Sequence, residues 1–206
     1  MGMMFVKMVL RRYYRAMNKQ RGYDLVERVG NLLRVEARQA GAEHGLQPVQ
    51  LQALAYFARA NRYSDTPAAL ADYLGVTKGT ASQTLMVLAG LGLVSKREDK
   101  QDRRVTRVQV TAKGHHLLDK LLPPALWQNA SAELSAAAVL RIEDELRRLL
   151  RVLQQANQSR TFGVCNTCEH FLREGSRKFR CGLTAESLSG EEAQLICREH
   201  ELKTGS

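Results

Sequence analysis

No stretch of the 206 residues comes near the roughly 18 uncharged apolar positions that a membrane-crossing helix needs, so a transmembrane segment of that kind is excluded. No acid occurs in the first 22 residues, and no cysteine precedes Cys165. Thiolate chemistry is therefore confined to the last 42 residues. A phosphate-cradling loop, a serine triad and a pair of carboxylates set for acid–base work are all missing, so the chain reads as a non-enzyme. What is there is a composition of 44% hydrophobic and 25% charged residues, close to that of ordinary globular proteins, which argues against wholesale disorder.

The net charge of +10 has two sources. Lys7, Arg11, Arg12, Arg15, Lys19 and Arg21 stand unopposed in residues 1–22, and residues 78–113 hold eight bases against Glu98, Asp99 and Asp102. Positive charge gathered in two places suits a polyanion, most simply nucleic acid. At the start, Lys7 interrupts the apolar run Phe5 to Leu10, the run is short for a secretory core, and no small-residue cleavage site follows. A cytoplasmic protein is expected ahead of one carrying an organelle transit peptide. The basic arm is read either as a helical extension with a solvated face or as an arm lying near DNA phosphates.

From Tyr23 the apolar spacing is helical through Leu25, Val29, Leu32 and Leu33, until Gly41 and Gly45. A second helix opens after Pro48 with Leu51, Leu54 and Phe57. Ser64, Asp65 and Thr66 offer cap side chains before Pro67, which starts a third helix ending at Leu74. After Gly75-Val76-Thr77, a fourth runs from Lys78 to Leu91 with Ala81, Leu85 and Leu88 inward. Two short helices around a tight turn are a helix-turn-helix, over 66–91. Leu93 to Arg97 and Val105 to Val110 alternate like paired strands around the polar tip Glu98 to Arg104, which makes a wing over 93–110. Thr111-Ala112-Lys113-Gly114 opens a helix with Leu117, Leu118, Leu121 and Leu122, stopped or kinked at Pro123-Pro124. Ile142, Leu146, Leu149, Leu150 and Leu153 stripe a last long helix that has no evident partner in its own chain, so the first and last helices are expected to pack on a second subunit. The fold class is mainly α.

The run Leu70-Ala71-Asp72-Tyr73-Leu74-Gly75-Val76-Thr77-Lys78-Gly79-Thr80-Ala81-Ser82 comes first, then Leu91-Gly92-Leu93-Val94, Asp99-Lys100-Gln101-Asp102-Arg103-Arg104 and Val110-Thr111-Ala112-Lys113-Gly114. With these in order, residues 23–157 resemble the MarR family of winged-helix regulators. The resemblance implies a homodimeric transcription regulator, usually a repressor, built on its terminal helices. The chain departs from the family at both ends, in the extension 1–22 and in the tail 158–206.

The apolar face of the fourth helix leaves Lys78, Gly79, Ser82 and Gln83 pointing outward, with Thr77 and Thr80 near its N-terminus. Short hydroxyls, an amide and open backbone N–H groups suit phosphate oxygens and base edges. At the wing tip Lys100, Arg103 and Arg104 can meet phosphates or the minor groove. Asp102 is expected to orient a neighbouring arginine, since its own charge repels phosphate. His115 and His116 open the helix after the wing and read as surface or phosphate-adjacent groups.

Cys165, Cys168, Cys181 and Cys197 follow the spacing C-x2-C-x12-C-x15-C, in a segment with too few apolar residues to fold without a staple. Disulfides fit poorly with a DNA-binding protein of the cytoplasm. Zinc prefers two close ligand pairs, and only Cys165-Cys168 is one, although Cys197-x2-His200 offers His200 as a substitute ligand. One pair with two singles suits an iron–sulfur cluster, of the 4Fe–4S type, which ranks ahead of zinc. The spacing is similar to that of high-potential iron–sulfur proteins, without their glycine-tryptophan approach to the last cysteine. His170 is read as a supporting or surface histidine. From residue 160 the tail carries equal numbers of bases and acids, so it is not the main DNA clamp.

These readings converge on a DNA-binding repressor of a double-stranded operator, modulated through the cysteine centre by redox or iron status. The alternative is a repressor that answers to a small aromatic effector, with the tail as a structural zinc site. A thiol oxidoreductase using Cys165 and Cys168 ranks last, because the motif lacks a strand-to-helix setting.

Overall fold

The computed structural model describes the backbone of residues 2–99, 102–156 and 160–203, and within these the side chains from Gln20 onward. Helix α1 runs unbroken over Gly2–Ala42, so the basic extension and the first body helix are one rod, with Gly22 and Gly30 inside it. The side chains of Lys7 to Lys19 lie outside the described residues. The chain turns at Gly45, whose φ of 70° is the left-handed region that glycine enters without strain.

Helix α2 (Pro48–Phe57) starts on a proline at its first position, where no N–H is missed, and the Gln47 N–H donates to Gln50 Oε1 at 2.9 Å. Helix α3 (Pro67–Leu74) is capped by Thr66, whose hydroxyl accepts from the Ala69 N–H, and ends on Gly75 at φ 64°. Of the three cap side chains offered by the sequence, Thr66 alone caps the helix; Ser64 and Asp65 are used elsewhere, as described below. Helix α4 (Lys78–Gly90) is capped by Thr77. Ala81, Leu85 and Leu88 are buried on its inner face, in one core with Leu54, Tyr56 and Leu70.

Strands β1 (Val94–Glu98) and β2 (Thr106–Val110) pair antiparallel, Val94 opposite Val110 and Glu98 opposite Thr106. Val94, Val108 and Val110 face the core, and the Val108 N–H donates to the Asp65 carbonyl, which joins the wing to the α2–α3 connection. Helix α5 (Ala112–Leu121) follows at once, capped by Thr111. Pro123-Pro124 does stop it. A short helix not anticipated from the apolar pattern, α6 (Ala125–Ala132), intervenes before α7 (Ala136–Ala156). Neither α6 nor α7 contains a buried residue, and Leu140, Ile142, Leu146, Leu149, Leu150, Val152 and Leu153 of α7 are all exposed.

The tail forms a three-stranded antiparallel sheet of β3 (Phe171–Arg173), β4 (Phe179–Cys181) and β5 (Ser187–Leu188), with Phe171 stacked on Phe179 at 5.2 Å. The tail is also welded to the winged helix. Ile196 is buried in the same core as α2 to α5, and Phe162 sets its ring 5.3 Å from that of Tyr73 on α3. None of the helices among the described residues is long and apolar enough to cross a membrane.

Candidate nucleic-acid interface and cysteine centre

Helix α4 presents Thr77, Lys78, Gly79, Thr80, Ser82 and Gln83 to solvent on the side opposite its buried face. Thr77 Oγ1 accepts the Thr80 N–H at 3.1 Å and lies 2.9 Å from the Thr80 hydroxyl, so the two threonines brace the start of the helix. Among the described residues no side chain caps the Lys78 or Gly79 N–H group. A side chain at Gly79 would meet only Thr77 Oγ1, at 3.7 Å, so the fold itself makes no demand for glycine there.

On the wing, Arg103 and Arg104 are exposed, and Lys100 lies outside the described residues. Arg104 donates to both Asp102 oxygens at 3.1 Å, and this arginine holds the Asp102 carboxyl below its usual range. The expected orienting role of Asp102 is thus realised in the geometry. Arg107 was not among the residues singled out from the sequence. It donates to Asp99 at 2.7 Å, to Asp65 at 2.8 Å and to the Arg62 carbonyl at 2.6 Å, and so locks the base of the wing to the α2–α3 connection. Burial pushes the Asp65 carboxyl up, and Arg107 opposes that shift.

The four cysteines come together. Cys165, Cys168, Cys181 and Cys197 line one cavity of about 100 Å³, together with Asn61, Tyr63, His170 and Phe171. Among the described residues no three His, Cys, Asp or Glu side chains close around one point tightly enough to hold a single metal ion; the thiols stand around a space. Burial pushes the Cys165 thiol up to about 12, and the crowding of the other three sulfurs adds to it. Thiols so placed stay protonated unless a cationic group stands between them. His170 lines the cavity with its Nε2 3.3 Å from Glu201. His200 does not line it. Its Nδ1 is 2.6 Å from the Thr161 hydroxyl and its Nε2 3.0 Å from that of Thr167, while Gly163 lies flat against the ring, where a Cβ would approach within 2.5 Å. Both ring nitrogens thus lie beside hydroxyl groups, outside the wall formed by the four cysteines. Cys165 and Cys168 flank a single 3-10 turn, away from any strand-to-helix junction.

Residues 44–105 match the MarR family. Over 117 residues the chain is 32% identical to the transcriptional repressor MprA of Escherichia coli K12, covering 55% of this chain and 66% of MprA. The fold is a MarR-type winged helix. In fold it is similar to a MarR transcriptional regulator from Methanosarcina mazei Go1, with a TM-score of 0.57 at 19% identity over 66% of this chain and 99% of that one. S. aureus MepR, solved as a DNA complex, superposes with a TM-score of 0.52 at 20% identity over 63% and 96% of the two chains. Apo MarR of E. coli gives 0.51 at 22% identity over 62% and 95%. These chains are thus covered almost whole, while about a third of the present chain has no counterpart in them.

The contacts that join the MarR-type domain to the tail are what the sequence did not reveal. Arg62 donates to the Ser187 carbonyl and pairs with Glu192 at 2.7 Å. The Tyr63 hydroxyl meets Thr184 and donates to Glu186, and burial pushes it up to about 12. Ser64 accepts the Arg198 N–H at 2.8 Å, and Arg198 in turn donates to Asp72 of α3 at 2.6 and 3.0 Å. No local pattern marks them, because their partners lie more than a hundred residues away.

Proposed function

We propose that this protein is a homodimeric, DNA-binding transcriptional regulator of the cytoplasm, a repressor, which reads an operator with α4 and the wing. Its DNA binding is modulated through the four-cysteine centre, an iron–sulfur cluster of the 4Fe–4S type favoured over zinc, in response to redox or iron status. The DNA reading is supported by the exposed polar face of α4 beside the basic wing, by the repressor MprA at 32% identity, and by MepR, which was solved on DNA. The modulation rests on one observation above all: the four thiols line a single cavity whose wall includes Asn61 from the DNA-binding domain itself. A lone zinc draws its sulfurs to about 2.3 Å from one point. Cys165, Cys168, Cys181 and Cys197 would hold a cluster, which would supply a redox-active or labile centre.

A second reading has its own observation. A cleft of about 690 Å³ between α3, α7 and the tail is lined by Tyr73, Phe162, Arg59 and Arg151, a setting suited to a small anionic aromatic effector. In that case the cysteine centre is structural.

Two experiments test the proposal. Anaerobically purified protein is expected to be brown, with absorption near 400 nm and with iron and sulfide in equal amounts; colourless protein with one zinc per chain overturns the cluster. Duplexes enriched from a random pool on the protein are expected to yield one operator. On that operator Arg104→Ala should weaken binding by a similar factor for matched and mismatched sequences and lower the slope of log affinity against log salt by about one unit. An unchanged slope removes Arg104 from the phosphate contacts.

A further inference from the structure

Asn61 sits in the α2–α3 connection, only 3% exposed, and lines the cysteine cavity. Its amide is not free to turn. Oδ1 accepts the Ser64 hydroxyl at 2.7 Å and the Tyr63 N–H at 3.1 Å, so the oxygen faces the DNA-binding domain and the nitrogen faces the cysteines. That Nδ2 is a buried donor with no complete hydrogen bond among the described residues. A buried donor left unmet is costly, so such a group implies an acceptor that arrives with something else. The acceptor at hand is the Cys197 sulfur. Asn61 and Cys197 line the same cavity wall. The backbone on either side of Cys197 is held by the same connection: the Asn61 N–H donates to the Ile196 carbonyl at 2.9 Å, and Ser64 Oγ accepts the Arg198 N–H.

We propose that Asn61 is a positioning residue for the cysteine centre, donating its Nδ2–H to the Cys197 sulfur once that sulfur is a thiolate ligand, and thereby tying the centre to the helix-turn-helix. The inference rests on the cluster reading above. A hydrogen bond to a ligand sulfur stabilises the more negative state of a centre and raises its reduction potential. The tie runs through contacts already described. Asn61 holds Ser64, Ser64 holds Arg198, and Arg198 grips Asp72 on α3, which packs against α4. The centre is therefore linked to the recognition helix within one subunit, through the loop that precedes α3, and needs no relay through α7.

The test uses full-length, cluster-loaded protein titrated with dithionite and ferricyanide. Asn61→Asp keeps the acceptor oxygen for Ser64 and Tyr63 but loses the donor; Asn61→Leu loses both and adds no charge. Both variants are expected to show a lower midpoint potential than wild type. A shift in Asn61→Asp alone is an effect of charge and overturns the hydrogen bond, as does no shift in either. Should Asn61→Leu not fold, the deuterium-induced shift of the Fe–S stretching bands decides: it is expected to be smaller in Asn61→Asp than in wild type, and an equal shift overturns the proposal. The ratio of operator affinities in the oxidised and reduced states is expected to fall toward one in the variants; a ratio that differs from one in wild type and is unchanged by substitution overturns the tie to α3. Wild-type protein without iron overturns the cluster reading instead, and a wild-type ratio of one overturns modulation by the centre while leaving the hydrogen bond to its own test.

Discussion

Gly114→Ala is expected to destabilise the winged helix by about 3 kcal/mol, near the top of the usual range for overpacking a filled site. A Cβ at this position would stand 2.3 Å from the Leu93 carbonyl oxygen, 2.7 Å from Val110 Cγ1 and 3.3 Å from Leu54 Cδ1. The nearest obstacle is backbone, and it cannot yield. That carbonyl accepts the Thr111 N–H at 3.0 Å and is within 3.2 Å of the Thr111 hydroxyl, where β2 passes into α5. Room for one methyl group therefore requires α5 to lift off the base of the wing, and the better helix propensity of alanine recovers only about 1 kcal/mol. Thermal unfolding followed by helical circular dichroism should show a midpoint lowered by about 10 °C, taking 2–4 °C per kcal/mol for a chain of this size. Gly79→Ala is the control. Its new Cβ meets one atom at an ordinary 3.7 Å, so it should unfold at or slightly above the wild-type temperature. Equal midpoints for Gly114→Ala and wild type would mean that α5 and the wing do not pack as described.

Gly114 also marks the boundary of what the sequence discloses. Its place after Val110-Thr111-Ala112-Lys113 was legible, and so were the helix-turn-helix and the wing, because caps, alternation and 3.6-residue spacing are local signals. The reason for the glycine was not, since the carbonyl it avoids belongs to Leu93, on the far side of the hairpin. Helix α6 escaped notice for a simpler reason: Ala125–Ala132 buries nothing and carries no stripe. Ser64, Asp65 and Thr66 looked alike as cap candidates. Three dimensions assign Thr66 to α3, Asp65 to Arg107 and Ser64 to Arg198. The cysteines were recognisable as a set from spacing and from the thin apolar supply around them. Their wall was not, because Asn61 and Tyr63 come from a polar connection whose composition is that of any loop. The tail docks by backbone hydrogen bonds at Arg59 and Asn61, and backbone groups leave no trace in side-chain patterns.

Leu146→Glu is expected to convert the protein from dimer to monomer and to abolish tight operator binding. The long helix α7 repeats leucine and isoleucine along one side, yet within its own chain it buries none of them, and Leu146 and Leu153 remain 48% and 55% exposed. Apolar area of this extent along 21 residues marks an interface, and Leu25, Val29 and Leu32 of α1 add to it from the other end of the chain. Fully burying a leucine contributes about 1.5–3 kcal/mol. In a twofold dimer one substitution acts on both faces. Since Leu146 is already half-buried in its own subunit, about half of that is lost on each face, and the dissociation constant should rise by roughly tenfold to a hundredfold before any cost of burying the new carboxylates is counted. Sedimentation equilibrium across a concentration series measures it directly. Leu183→Glu, at a side chain 54% exposed on the tail, should leave the dimer untouched. The monomer's winged helix should keep its fold, because Leu146 belongs to no buried core of its own subunit. Operator affinity should nevertheless fall with dimerisation, since two recognition helices held at a fixed separation bind two half-sites as one event. A Leu146→Glu protein that sediments as a wild-type dimer would transfer the interface away from α7 and leave its apolar face to another partner.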